Sequence, residues 1–289
     1  MIVDIHADDY GYSLNTSKEL LKLMKLGKLN SISLICNTSY FNDSVDLLYE
    51  NIKELPFMPK ISVHLNLVEG FFENNKLPMS WSKLFFYSYI PSGIKNILKN
   101  EIKKQIELYI DVLNNIKDYC KKYDVEFNQN SIRIDSHTHT HLIPIVWKSL
   151  IEVINENNYE IEYIRNPKEP IKPFIEAINN VDFSKVNFIK NIILNIYSSK
   201  VDKYCIRNNM PLMYMWGLVM SGKMDKKRID MFYDQMLEIS KNDNRNLEIL
   251  FHPGIALKNE YMSEMNKDYF NDFNSSNNRE IEKDAVMNI

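Results

Sequence analysis

The stretch ISVHLNL, residues 61–67, alternates two kinds of side chain. Ile61, Val63, Leu65 and Leu67 share one face of an extended strand, and Ser62, His64 and Asn66 share the other. The apolar face suits contact with helices. In a barrel it would lie outside, and His64 would project inward near the C-terminal strand end, where parallel α/β architectures assemble binding and catalysis. The same count around RIDSHTHTHLIP, 133–144, turns Ile132 and Ile134 outward and Asp135 and His137 inward. In LEILFH, Leu250 and His252 oppose Ile249 and Phe251. If the strand after 133 continued, His139 and His141 would join the inner face.

Working outward from these runs, further strands are expected at Ile2 to His6, Ser31 to Cys36, Lys60 to Leu67, Ser131 to His137, Ile161 to Arg165, Leu212 to Gly217 and Leu247 to His252. Amphipathic stretches separate most of them, which gives about seven β-α units around a parallel sheet, an α/β fold. Thr16-Ser17-Lys18-Glu19 has capping-box spacing, and Gly27 sits where a helix end wants positive φ. Ile97, Ile102, Ile106, Ile110 and Leu113 mark the buried side of a helix over 95–122. One domain, 1–289, is expected, because α/β barrels reach this length around a single core. Residues 71–100, beginning FFENNKLPMSWSKLFFYSYIPSG, are too long for an ordinary β-α connection and form an insertion after strand 3, over the mouth of the site. Packing on its own barrel is the simplest role for its aromatics. From Lys258 the tail is polar, with NDFNSSNNRE a loop before a short terminal element.

Composition narrows the function classes. A formal charge of -3, from 35 basic and 38 acidic side chains, supplies no field for gripping a phosphate backbone, so no nucleic-acid partner is expected. Cys36, Cys120 and Cys205 fit neither a disulfide framework nor a CxxC site, and the expectation is reduced, structural thiols. No apolar run approaches the roughly 18 to 20 residues of a membrane span, and Met1 to Ile5 are too few for a signal peptide, so a cytoplasmic protein without membrane contact is expected. The methionines Met210, Met213 and Met215 suit core filling.

All six histidines fall in four stretches, HADDYG (His6), VHLNLVEG (His64), DSHTHTH (His137, His139, His141) and FHPG (His252), each at the end of an expected strand. The four should converge. Asp8 and Asp9 add adjacent carboxylates beyond the first strand, with Gly11 to make the turn. Neighbours on a strand end point apart, so one could bind a metal while the other faces a bound water. Each element has a plainer explanation: a turn with a helix cap for the aspartates, a hydrogen-bonded interior histidine for His64, a solvated loop for HTHTH. Their coincidence at one barrel end favours a site.

Taken in order, ADDYG, VHLNLVEG, IDSHTHTHLIP, IRNPKEP and FHPG resemble the motifs of the YdjC/ChbG family of carbohydrate deacetylases, over residues 6 to 254. The resemblance implies a distorted, TIM-like (β/α) barrel and a metal-dependent hydrolase that removes acetyl groups from N-acetylated sugars. It also implies Asp9, His64 and His137 as metal ligands, Asp8 as general base, His252 as the histidine assisting the leaving group, and Arg165 as an arginine orienting a catalytic carboxylate. His6 stands where the family usually has asparagine. The resemblance leaves the cofactor as a divalent ion, with magnesium expected and zinc or another transition metal also compatible. An N-acetylated sugar is the expected partner, and a homodimer through the insertion is a further expectation. Another metallohydrolase, a phosphoesterase or an amidohydrolase, would use the same residue types, although those families usually place an HxH pair on the first strand. A non-catalytic metal- or sugar-binding protein would not need both an acid and a base.

Overall fold

The computed structural model describes residues 1–178 and 181–289. Seven strands, β1 (Val3–Tyr10), β2 (Ser31–Leu34), β3 (Lys60–Leu65), β4 (Ile132–Ser136), β5 (Ile161–Ile164), β6 (Met213–Trp216) and β7 (Asn246–Phe251), form one sheet in the order β5-β4-β3-β2-β1-β7-β6. Every pairing is parallel. The sheet curls into a distorted α/β barrel. Its edge strands β5 and β6 do not pair, but Met215 N donates to Lys168 O at 3.0 Å just beyond β5, so the gap narrows at that end.

Helices α1 (Leu14–Lys25), α2 (Phe41–Asn51), α3 (Trp81–Tyr87), α4 (Ile94–Tyr123), α5 (Pro144–Glu156), α6 (Lys172–Glu176), α7 (Lys185–Arg207), α8 (Lys226–Asn242), α9 (Lys267–Tyr269) and α10 (Asn278–Met287) surround it. The outward strand residues Ile61, Val63 and Leu65 of β3 and Ile132 and Ile134 of β4 join the apolar core beneath them, as the alternation requires. All seven expected strands form, with ends shifted by a few residues. The start of α1 differs from expectation: its cap is Ser13, whose hydroxyl accepts from Thr16 N at 3.1 Å, and Thr16 and Ser17 lie buried inside the helix. Ser13 offers the same hydroxyl chemistry one turn earlier, so the helix begins there. Gly27 follows the helix with φ +66.

The stretch 71–100 is not wholly an insertion, because α4 starts at Ile94 and its last residues are the first turns of that helix. Only α3 and its flanking loops stand over the barrel mouth. The strand carrying Asp135 ends at Ser136. Residues 137–142 form a tight turn with Thr138 and His139 in left-handed conformations, so the alternation stops at His137.

Candidate active site

The barrel interior holds a column of charge. Successive inward residues of β1 are Asp4, His6 and Asp8, and each meets an inward residue of a neighbouring strand. Asp4 pairs with Arg133 at 3.1 Å and accepts from Ser31 Oγ at 2.6 Å. His6 contacts Ser31 Oγ and Ser33 Oγ, each at 2.6 Å, and Asp8 Oδ1 at 3.2 Å. Arg165 is the hub: Nη1 and Nη2 bind the two oxygens of Asp8 at 2.9 and 2.8 Å, Nη2 also approaches Asp135 at 3.2 Å, and Nε approaches Glu248 at 2.7 Å. Burial, the largest influence, raises the Asp8 carboxyl, but Arg165, His64 and His6 hold it well below its usual range. Asp8 is therefore an ionised, oriented carboxylate.

Above the column, β1 carries an irregularity: Ala7 pairs with Ile32 and Tyr10 with Leu34, so three steps on β1 face two on β2. Asp8 and Asp9 lie in this bulge, with Asp9 at φ +74. A bulge re-aims side chains, and here it corrects the simple alternation. Both carboxylates face the same histidine, His64 Nε2 being 3.9 Å from Asp8 Oδ2 and 3.7 Å from Asp9 Oδ1. The turn after the bulge needs Gly11, at φ +92, where a Cβ would lie 2.8 Å from Ile35 O.

Asp9, His64 and His137 present one ligand atom each within 4.8 Å of one another, all buried. His64 turns Nε2 toward the group because Nδ1 is bound to Asp135 at 2.6 Å. His137 places Nδ1 3.4 Å from Asp9 Oδ1 and Nε2 2.8 Å from Glu69 Oε1. Carboxylates behind both imidazoles are the usual support of a metal-binding histidine. Asp9 Oδ2 is held by Arg279 of α10, while its buried Oδ1 accepts no well-formed hydrogen bond. One free carboxylate oxygen and two oriented imidazoles fit a divalent ion. Two other buried groups, Asp4/His6/Glu248 and His6/Asp8/Asp135, have comparable spacing, but Arg133 and Arg165 already supply their cations. Burial, the largest influence, lowers His137, yet its contacts with Asp9 and Glu69 carry it up to about 10. A metal ion must displace that proton.

His252 also reaches Asp8, with Nε2 3.9 Å from Oδ2, the oxygen that His64 Nε2 approaches at the same distance. Its ring edge packs against Phe273, and Glu282 of α10 accepts from its backbone N at 2.6 Å and lies 3.5 Å from Nδ1. All six residues expected from the motifs, Asp8, Asp9, His64, His137, Arg165 and His252, thus lie together. The other histidines of HTHTH do not join them as ligands. His141 bridges Ser136 Oγ and Arg165 O at 2.5 and 2.9 Å, with burial bringing it down to about 3, so it is a neutral strut under Arg165. His139 lines the cavity with Nδ1 unbonded, held well below its usual range first by burial and then by Arg165.

A cavity of about 710 Å³ opens above these groups, with Trp81 of α3, Ile193 of α7, and Tyr269 and Phe273 from the C-terminal segment in its walls. The alternation did not identify Glu69, Tyr269, Phe273, Arg279 or Glu282. Glu69 lies inside VHLNLVEG, immediately before Gly70, where a Cβ would lie 2.4 Å from Asn37 O, and that glycine was its one local signal. Nothing near the other four distinguishes them from a polar tail.

A family model described as YdjC-like protein matches residues 3–117 and 130–288. No curated protein matches the chain. Among solved structures, one from Enterococcus faecalis V583, provisionally described as a cellobiose-phosphate cleavage protein, aligns at 16% identity over 96% of this chain and 92% of its own, with a TM-score of 0.47. That likeness is too distant to bear on function. No helix among the described residues is long and apolar enough to cross a membrane.

Proposed function

The chain belongs to the YdjC-like family, and from that premise we propose that it is a metal-dependent hydrolase that removes acetyl groups from N-acetylated sugars. The observation that carries this reading is an arginine-held carboxylate, Asp8, whose Oδ2 lies 3.9 Å from both His64 Nε2 of the Asp9/His64/His137 donor set and His252 Nε2. Amide hydrolysis needs a base for water, stabilisation of an oxyanion and a proton for the departing amine. The three kinds of group are present within one cavity floor.

Asp9 Oδ1, His64 Nε2 and His137 Nδ1 would hold the ion. When bound, a divalent ion there supplies Lewis acidity to water and to the acetyl oxygen. Two imidazoles in the set weigh toward a first-row transition ion over magnesium, which favours oxygen donors. Asp8 takes the proton of the attacking water, and Arg165 keeps both its oxygens aimed while doing so. His252 delivers a proton from Nε2 to the amine nitrogen, with Glu282 beside Nδ1 to steady the charged ring. Trp81, Tyr269 and Phe273 offer flat apolar surface to a sugar ring.

The test is acetate release from a panel of N-acetylated mono- and disaccharides by protein reconstituted with several divalent metals, with Asp8→Asn as control. Metal-dependent release that the variant loses supports the reading. Cleavage of phosphate esters with acetamides untouched would replace it with a phosphoesterase, and ligand binding without turnover with a binding protein.

A further inference from the structure

We propose that His139, the middle imidazole of HTHTH, binds a hydroxyl of the sugar ring that carries the acetyl group, and so helps set which sugars the site accepts. The other imidazoles all have partners inside the protein. His6 lies between two serine hydroxyls, each at 2.6 Å, and His64 is bound to Asp135 at 2.6 Å. His141 spans Ser136 and Arg165. His137 and His252 each have a ring nitrogen outside good hydrogen-bond geometry, but a carboxylate faces it, Glu69 at 2.8 Å and Glu282 at 3.5 Å. His139 pairs with no carboxylate among the described residues. Its Nδ1 is buried without a hydrogen-bond partner, and its ring lines the cavity that Asp8 and His252 also line.

The backbone gives a second, independent sign. Thr138 and His139 stand at φ 52 and 56, two successive non-glycine residues in the left-handed region, and Thr138 is branched at Cβ, which makes that conformation costly. Neighbouring bonds hold the turn against this cost: Ser136 Oγ accepts from His141 N at 3.0 Å, and Ile143 N donates to Thr140 O at 2.9 Å. Strain that the surroundings enforce in this way is found where it positions a group for function. Here the group it positions is His139, in the cavity wall, while His137 and His141 on either side serve the metal-binding corner and Arg165.

A sugar hydroxyl is the partner this arrangement suits. With nothing for Nδ1 to donate to, the ring's proton belongs on Nε2, which then offers a donor to a ligand in the cavity. Asp8, His252 and the Asp9/His64/His137 set are committed to the acetamide in the deacetylase reading, on which this inference rests for the identity of the ring. Trp81, Tyr269 and Phe273 supply flat apolar surface but little that can match the hydroxyls around its edge. A pocket of this kind fixes orientation through a few placed polar groups. His139 lines the same cavity as Asp8 and His252, so a ring presenting its acetamide to them brings its own hydroxyls within range. A site built to hydrogen-bond a hydroxyl rejects the analogue that lacks it, because the site's own polar group is then left unpaired.

The test crosses variants of His139 with deoxy sugars, in metal-loaded full-length protein. In an Asp8→Asn background that halts turnover, calorimetric titration with N-acetylglucosamine should show about tenfold weaker binding once His139→Gly is added. For one of the 3-, 4- and 6-deoxy analogues, the one without the hydroxyl that His139 holds, the same substitution should cost less than about twofold. Glycine suits a left-handed backbone, so the thermal midpoint of His139→Gly should stay level or rise, the opposite of what a merely structural imidazole would give. His139→Asn tolerates the same backbone and keeps a donor, and it should recover part of the affinity. An equal loss for every analogue, no loss for N-acetylglucosamine, or no binding of it by the parent protein overturns the proposal. So does a His139→Gly protein with Asp8 intact that binds normally and loses turnover, which would make His139 a donor to the acetyl oxygen instead. Hydroxyl coupling without acetate release from any sugar by the wild type would remove the deacetylase reading and leave the hydroxyl contact standing.

Discussion

The lower interior of the barrel and its mouth use the same residue types, carboxylates, imidazoles and guanidinium groups, under different terms. Below, Asp4, His6, Asp135 and Glu248 each meet Arg133, Arg165 or a serine hydroxyl, and the column is closed to solvent. At the mouth, Asp9 Oδ1 and His139 Nδ1 are buried without hydrogen-bond partners, and a cavity begins directly above them. Each carboxylate of the column has a guanidinium beside it, and paired buried charges rigidify, whereas an unbonded carboxylate oxygen and ring nitrogen at the foot of a cavity are where a ligand can still gain something. The column is a support, and binding capacity is concentrated one layer higher.

The most severe way to break this contrast is Arg165→Met, which strands Asp8, Asp135 and Glu248 without their shared cation. Losing one partner of a buried ion pair costs about 3–5 kcal/mol, so urea unfolding should show a loss of that order. An unchanged midpoint would mean that the column is not a support. Asp8→Asn should cost about 100-fold or more in turnover and less stability than Arg165→Met, because Arg165 keeps its other two carboxylates. Parallel steady-state kinetics and urea titrations separate the two effects. One layer up, Glu69→Gln removes the charge behind His137, and calorimetric titration should register about a 10–100-fold weaker metal affinity. The smallest effect belongs to the cavity wall. Trp81→Ala, losing about 40 Å² of apolar contact at ~25 cal/mol per Å², should raise KM about fivefold with kcat nearly unchanged.

Strand parity made His64, His137 and His252 legible, because a period of two assigns every side chain to a face, while Asp8 and Asp9 stood out as adjacent carboxylates at a strand end and Arg165 only through the motif IRNPKEP. The column was equally available in principle. Asp4, His6 and Asp8 alternate on β1, Ser31 and Ser33 on β2, Arg133 and Asp135 on β4. Parity fails where the backbone leaves the regular strand. The bulge at Asp8 and Asp9 turned two neighbours to one side, and the left-handed pair Thr138 and His139 stopped the alternation before His141. Arg279 and Glu282 were out of reach for a different reason: they act across the fold from a helix whose local pattern reports only its own packing. The exposed Ile189, Ile192, Ile193 and Ile196 of α7 show the converse case, an amphipathic pattern blurred because apolar side chains stand outside while Asn191 and Ser198 lie inside.

Arg279 lies 270 positions after the aspartate it holds. During synthesis at about 5–20 residues per second, those positions separate by roughly 15–55 seconds. Throughout that interval the nascent first strand carries an aspartate whose buried countercharge has not been translated. Sealing Asp9 away from water in its ionised form would be costly until α10 emerges. The end of β1 and the metal-binding corner therefore mature only once α10 has left the ribosome, although Asp9 is made 270 positions before the arginine that holds it.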